Sequence, residues 1–195
     1  MNPEIKHRAR KQELFQQINQ LIEKEGFANL TIRKICKNLD ISIGTFYHYF
    51  PDKSDIAWIL FSDIDNYFET EVVKEFSDKE PDNLITFSME YGAFIMKRGV
   101  ENCRCINLAP LKSKGHSYLD EGRSIFLNLY GIFQRGTEKE QFALTGDSLE
   151  TARMYMILLR GYCTDWAKRE GNYDLVDALK RFSILFCKSL INNPS

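Results

Sequence analysis

Apolar residues recur at three- and four-residue intervals along nearly the whole chain, and the strict alternation of a half-buried strand is scarce. The pattern predicts an all-α protein of about nine helices. The first is expected over about Glu4 to Glu25, with Leu14, Phe15, Ile18, Leu21 and Ile22 on one side and Gly26 as its stop. A short helix follows, capped by the Thr31 hydroxyl. Ile32, Ile35 and Leu39 form its apolar stripe, while Arg33, Lys34 and Lys37 stay on the solvent side. It should stop near Leu39–Asp40. Ser42 then caps another short helix, in which Ile43, Phe46 and Phe50 share the closing face, with Ile41 packing back onto the helix before.

Beyond this pair, Asp52-Lys53-Ser54-Asp55 reads as a capping box for a long helix from about Lys53 to Phe76, built on Ile56, Ile59, Leu60, Ile64, Phe68 and Val72. Ser77 to Asp82 is a break. The next helix carries Leu84, Phe87, Tyr91, Phe94 and Ile95. Gly99 to Gly115 reads as the least regular stretch, because Pro110 forbids a long uninterrupted helix. A helix over about His116 to Gln134 gathers Phe126, Leu129, Tyr130 and Phe133, and Gly136 to Gly146 reads as a loop. Asp147-Ser-Leu-Glu150 is a second capping box, for a helix ending near Glu170. After Gly171-Asn172, Asp174 caps the last helix, whose apolar face is Leu175, Ala178, Leu179, Phe182, Leu185, Phe186 and Leu190.

Chemistry concentrates in the two short helices. A tight turn joins them, and the second leaves Thr45, Tyr47, His48 and Tyr49 wholly or partly free. A face of hydroxyl, aromatic and imidazole groups with no acid on it suits phosphate oxygens and base edges, and this is how a helix-turn-helix addresses a major groove. Gly44, in the first turn of the second helix, has no side chain to keep a sugar-phosphate backbone away. Tolerance near a frayed helix end explains it equally well. The positive end of the helix beginning near Lys53, with the Lys53 ammonium, reads as a phosphate clamp.

Gly26-Phe27, Thr31-Ile32, Ile35, Ile41-Ser42, Gly44, Phe46-Tyr47, Tyr49-Phe50 and Lys53 together resemble the DNA-binding region of the TetR family of transcriptional repressors. The resemblance covers roughly the first quarter of the chain. It places phosphate contacts on Thr31, Tyr47 and Lys53, and base-facing positions on Arg33, Ser42, Thr45 and His48. Two positions depart from the family pattern: Cys36 stands where Ala is usual, and Asp40 where Gly is usual in the turn. Asp tolerates a left-handed conformation, though less readily than Gly.

The resemblance implies a DNA-binding head over residues 1–52 and a ligand-binding and dimerisation body over 53–195. It implies a homodimer, with the last two long helices pairing across a two-fold axis; Leu179, Phe182 and Phe186 are the interface candidates. It also implies a small-molecule pocket in the body. Phe68, Phe87, Tyr91, Phe94, Phe126, Tyr130, Met154, Tyr155, Tyr162 and Trp166 would line it, with Met96 nearby. Such aromatic stripes more often serve as core. As a lining they suit an apolar effector, since flat rings and Met fill space without demanding polar partners. The partners expected are thus a double-stranded operator, a small hydrophobic effector and a second copy of the chain.

Charge changes this picture little. Lys and Arg number nine against seven Asp and Glu up to Asp55, and seventeen against twenty beyond it, so a slightly basic head sits on an acidic body. The start of the chain has no apolar h-region and no stretch approaches eighteen apolar residues, so a cytoplasmic protein is expected. Five cysteines then read as reduced thiols. Cys103-Arg-Cys105 suggests an alternative, a thiol-based redox sensor in which Arg104 lowers a thiol pKa. On a helix the two side chains point about 200° apart and cannot chelate one ion. No Gly-rich phosphate loop, nucleophile elbow or HExxH is present, and His7, His48 and His116 are scattered. Neither an enzyme, nor a metal, nor a cofactor is expected.

Overall fold

A computed structural model describes residues 3–108, 112–113, 116–117 and 120–191. Among them are nine α-helices: α1 (Pro3–Glu25), α2 (Ile32–Leu39), α3 (Ile43–Tyr49), α4 (Asp55–Thr70), α5 (Glu80–Arg98), α6 (Val100–Leu108), α7 (Ser124–Glu138), α8 (Ser148–Lys168) and α9 (Leu175–Ile191). Short 3-10 turns lie at Phe27–Asn29 and Val72–Glu75. Two antiparallel two-residue strands, β1 (Lys112–Ser113) and β2 (His116–Ser117), are the only β pairing among the described residues. The protein is all-α.

By packing, the chain forms two compact units. One comprises Met1–Ser62 with Gly99–Tyr118, the other Asp63–Arg98 with Leu119–Ser195. The sequence boundary at 52/53 marks the end of the helix-turn-helix; the packing boundary falls inside α4, which gives Ile56, Ala57 and Leu60 to the first core and continues into the second unit.

In the first unit Leu14, Phe15, Ile18 and Ile22 of α1 are fully buried, as their spacing requires, with Leu30, Ile35, Phe46, Phe50 and Cys105 in the same cluster. Gly26 ends α1 at φ 76°, a left-handed value that favours glycine. α6 is regular where the sequence reads as irregular. Its start is capped from outside: the Glu23 carboxylate accepts from the Asn102 backbone N–H at 2.8 Å and from its amide at 2.6 Å. Pro110 and Gly115 lie outside the described residues, as does the His116 side chain.

Three helices have bounds that differ from the sequence reading. α4 stops at Thr70 and not at Phe76; the β-branched pair Val72 and Val73 opens the 3-10 turn instead, and Val72 is buried. α5 starts at Glu80, two residues inside the expected break, because Pro81 falls in the first helical turn, where its missing N–H costs nothing. α7 runs from Ser124 to Glu138, later than expected at both ends.

In the second unit α5 packs closely on α9. A Cβ placed on Gly92 would lie 3.1 Å from Leu179 Cδ1 and 3.3 Å from Val176 Cα, so only glycine fits this approach without displacement. Nearby, the buried Tyr155 hydroxyl of α8 meets Ser88 of α5 and Ser183 of α9, each at 2.7 Å. The serine hydroxyls also approach the carbonyls of Leu84 and Leu179. Three hydroxyl protons cannot fill four contacts. A chain from Ser88 to Tyr155 to Ser183 to the Leu179 carbonyl uses all three and leaves the Leu84 carbonyl its helical partner. At the start of α5, the fully buried Glu80 carboxylate accepts from Arg135 at 2.8 and 3.0 Å, from Lys139 at 3.0 Å and from Asn83 at 2.9 Å.

Candidate nucleic-acid interface and ligand cavity

The turn between α2 and α3 is built as its residues require. Thr31 Oγ1 accepts from the Lys34 N–H at 3.2 Å, and Asp40 takes φ 51° and ψ 48°, the left-handed conformation where glycine is usual. The Ile41 N–H returns to the Cys36 carbonyl at 3.0 Å. Ser42 Oγ accepts from the Thr45 N–H at 2.9 Å and meets Thr45 Oγ1 at 2.8 Å. Phe46 and Phe50 point inward and are fully buried. Ile43, expected on that closing face, is instead 46% exposed, because it sits in the first turn of α3 on the outward side.

What remains outward is a continuous polar face. Thr31 and Arg33 are exposed at the start of α2, and Ser42, Gly44, Tyr47 and His48 along α3, with Thr45 half-buried between them. A Cβ on Gly44 would meet only Ser42 Oγ, at 3.7 Å, so α3 presents a bare backbone there. Lys53 differs from expectation. Its ammonium donates to the Phe27 carbonyl at 2.7 Å and lies 4.2 Å from the Phe27 ring centroid, and burial lowers its pKa. It is committed to holding α4 against the turn after α1 and is not extended as a clamp. Asp52 and Asp55 cap this junction through the Asp52 N–H to Asp55 Oδ2 bond at 2.8 Å.

Two residues at this face were not legible in the sequence. His7 of α1 stacks on Tyr49 at 4.8 Å and stands edge-on to His48 at 5.1 Å, and Lys11 lies 5.8 Å from the Phe50 ring centroid. Both fall on one side of α1, four residues apart, but nothing local says that this side adjoins α3.

Most of the expected pocket residues are packed into the second unit. Phe68 and Phe87 are fully buried with rings 4.7 Å apart, and Tyr91 lies against Phe68 at 6.5 Å. Phe94 stacks with Tyr67 at 5.5 Å. Tyr130 is half-buried, Tyr155 serves the hydroxyl chain, Tyr162 packs on Phe182 at 5.4 Å, and Trp166 donates to the Tyr173 carbonyl at 3.0 Å. Met154 stands 55% exposed on the outer face of α8. A cavity of about 210 Å³ does exist in this unit, lined by Asp120, Glu121, Phe126, Arg153, Met156, Ile157 and Arg160. Phe126 alone is common to it and the expected lining. Its wall is mainly apolar, but four charged side chains surround it.

For the interface candidates, Leu179 is fully buried within the chain's own fold against Gly92, and Phe182 and Phe186 are half-buried against Tyr155. The outward apolar residues are others: Met154, Ile157 and Leu158 on α8, and Leu185 and Ile191 on α9, 66% and 56% exposed.

The five cysteines are buried thiols. Burial pushes Cys103 and Cys105 up to about 12, with Arg104 and Lys53 pulling each only weakly down. Arg104 is drawn into an ion pair with Glu101. The thiolate that a redox sensor needs is therefore disfavoured at both positions. Among the described residues no three His, Cys, Asp or Glu side chains gather closely enough to hold a metal ion, and no helix is long and apolar enough to cross a membrane.

These features define an all-α protein with an N-terminal helix-turn-helix. Residues 14–57 match the family of bacterial regulatory proteins, tetR family. An HTH-type transcriptional regulator of Staphylococcus aureus (strain bovine RF122 / ET3-1) is 31% identical over 88 residues, covering 45% of this chain and 46% of that relative. The matched stretch thus spans about half that relative's length. Among solved structures, the transcriptional regulator FadR from Bacillus subtilis in complex with stearoyl-CoA superimposes with a TM-score of 0.71 at 19% identity, over 94% of this chain and 99% of that one. The TetR family regulator PfmR from Thermus thermophilus gives 0.66 at 16% identity, over 90% and 97%. The family match thus covers the helix-turn-helix, residues 14–57, and the likeness to the solved structures shows a shared fold over most of the chain.

Proposed function

We propose that the protein is a homodimeric transcriptional repressor that binds a palindromic operator through α2 and α3 and is released by a small ligand held in the second unit. The observation that carries the DNA-binding part is the outward face of α3. Ser42, Gly44, Thr45, Tyr47 and His48 stand there on a helix docked by Phe46 and Phe50, within the matched stretch. Thr31, Tyr47 and the α2 side chain of Arg33 flank it for phosphate and base edges, and exposed Ile43 offers an apolar contact of the kind that reads a thymine methyl. Retardation of the promoter beside its own gene tests the reading. In that assay Tyr47→Ala weakens binding to all sequences by about tenfold, whereas Thr45→Ala and His48→Ala change which bases are tolerated. Unchanged affinity for Tyr47→Ala rules out the docking.

Dimerisation rests on the outer stripe of α8. Met154, Ile157, Leu158 and Gly161 fall at i, i+3, i+4 and i+7, and Gly161 has nothing within 4 Å of where a Cβ would be. Leu185 of α9 adds to it, and a dimer matches two half-sites about one helical turn apart. Leu185→Glu leaves the subunit folded, since the side chain is exposed, yet yields monomers in sedimentation at micromolar concentration and lowers operator affinity. Leu179→Glu, by contrast, unfolds the subunit. A Leu185→Glu protein that sediments as a dimer removes this face from consideration.

Ligand release is supported by the cavity beside α7 and α8 and by the FadR relative, which holds stearoyl-CoA. α4, shared by both units, is tied near the cavity through Asp65, which accepts from Arg123 at 3.0 and 3.2 Å and from the Ile125 N–H at 3.3 Å. A ligand that moves this anchor biases α4 and with it the head.

A further inference from the structure

The cavity in the second unit differs in chemistry from the apolar lining that the aromatic residues suggest. Phe126, Met156 and Ile157 form its apolar wall, and Asp120, Glu121, Arg153 and Arg160 complete its lining. Arg153 and Glu121 are joined by a two-pronged hydrogen bond, Nε to Oε1 and the second nitrogen to Oε2, so one carboxylate already occupies the guanidinium fork in planar register. Both side chains are about half exposed, 50% for Arg153 and 42% for Glu121. A pair this open is readily exchanged, because water screens what holds it.

We propose that this cavity binds a small amphiphilic carboxylate, its apolar tail against Phe126, Met156 and Ile157 and its head group on Arg153 in place of Glu121. The inference deepens the effector reading above and rests on it for its regulatory meaning; binding itself stands apart from DNA. Planarity selects the head group, since the fork that receives the Glu121 carboxylate fits another carboxylate, whereas a hydroxyl fills one prong and an ammonium is repelled. Volume selects the size. At the packing density of organic crystals a cavity of this volume holds about ten non-hydrogen atoms, the size of an eight-carbon fatty acid anion. Exchange also has a route to α4: Glu121 lies two residues from Arg123, whose guanidinium holds Asp65 of α4. Loss of the Arg153 tether from Glu121 frees that segment at the point where α4 is anchored.

Calorimetric titration of the full chain with octanoate, 1-octanol and octylamine, without DNA, tests the site. Octanoate is expected to bind about tenfold or more tightly than 1-octanol, and octylamine weakest. Arg153→Met should erase the preference for octanoate over 1-octanol, and Glu121→Gln, which removes the internal competitor, should tighten octanoate. Both positions are exposed, and an unchanged circular dichroism spectrum and melting curve confirm that the variants fold. Equal binding of octanoate and 1-octanol, or an octanoate affinity untouched by Arg153→Met, overturns the proposal. Retardation of the operator with and without octanoate is the separate arm. Binding of octanoate with the operator complex left intact preserves the site and removes its regulatory role; absence of octanoate binding removes the site and leaves DNA recognition standing.

Discussion

Replacing Glu80 by Ala is expected to lower the melting midpoint of the second unit by about 10 °C, roughly 3 kcal/mol for a unit of this size. Glu80 is fully buried, and its carboxylate is the only acceptor shared by Arg135, Lys139 and Asn83 in the contacts that define the start of α5. Breaking a buried ion pair typically costs about 3–5 kcal/mol because a charge is left without a partner. Here the low end applies: the Arg135 and Lys139 side chains are 42% and 38% exposed and can turn to water, leaving chiefly Asn83 deprived. Burial pushes the Glu80 carboxyl up, but hydrogen bonds from Arg135, Asn83 and Lys139 outweigh it and hold it below the ordinary carboxylate value. A carboxyl so held contributes its stability above the unfolded value, about 4.3, and loses it as pH falls through the lower folded value. Melting of the unmodified protein should therefore steepen in its pH dependence below about pH 4, and Glu80→Gln should flatten that limb. Identical acid limbs for the two proteins would refute the assignment.

The helix-turn-helix was legible because what makes it is local. Thr31 and Ser42 cap within three residues, Gly26 and Asp40 supply the left-handed turns, and Phe46 and Phe50 lie one turn apart. Each of these is a relation between near neighbours, and hydrogen bonding and sterics fix it without the rest of the fold. The parts that were not legible depend on partners far along the chain. α6 is helical from its first residues because Glu23, some eighty residues earlier, caps it. Lys53 turns inward because the Phe27 carbonyl and ring await it. No periodicity reports such a partner.

The last helix shows the same limit in another form. Apolar residues occur on so much of α9 that the stripe alone does not say which edge faces inward. The inward line proves to be Leu175, Leu179, Ser183 and Cys187, with Leu185 outside. Small and polar residues belong on that line because α5 comes so close at Gly92 and because Ser183 completes the Tyr155 chain. Hydrophobicity favours Phe182 and Leu185 for the interior; space and hydrogen bonding favour Ser183. The pocket residues follow the same logic. Aromatic side chains mark where apolar volume is needed, and most of that volume is core, whereas the cavity owes its character to charged residues whose pattern along the chain looks like any solvated helix face.

The second large effect is expected at Phe46. Phe46→Ala should cost the first unit about 3–5 kcal/mol, the usual penalty for emptying a fully buried phenyl site. That is a large share of a total stability of about 5–15 kcal/mol. The consequence is sharper than the number, because α3 has seven residues and a helix so short does not persist in water without packing. Phe46 packs beside Phe50 at 5.3 Å in the cluster that includes Phe15, Ile18 and Ile35, so its ring joins α3 to α1 and α2. Once it is gone, Tyr47, Thr45 and His48 remain in the sequence but lose their fixed directions. Operator affinity should then fall by at least a hundredfold although no residue assigned to DNA has been altered. Hydrogen exchange of the α3 amides should accelerate toward the unfolded rate, while the melting transition of the second unit stays in place. Phe46→Leu, which keeps most of the apolar volume, should recover most of both losses. An Ala variant with protected α3 amides and full operator affinity would show that α3 is held by something other than this ring.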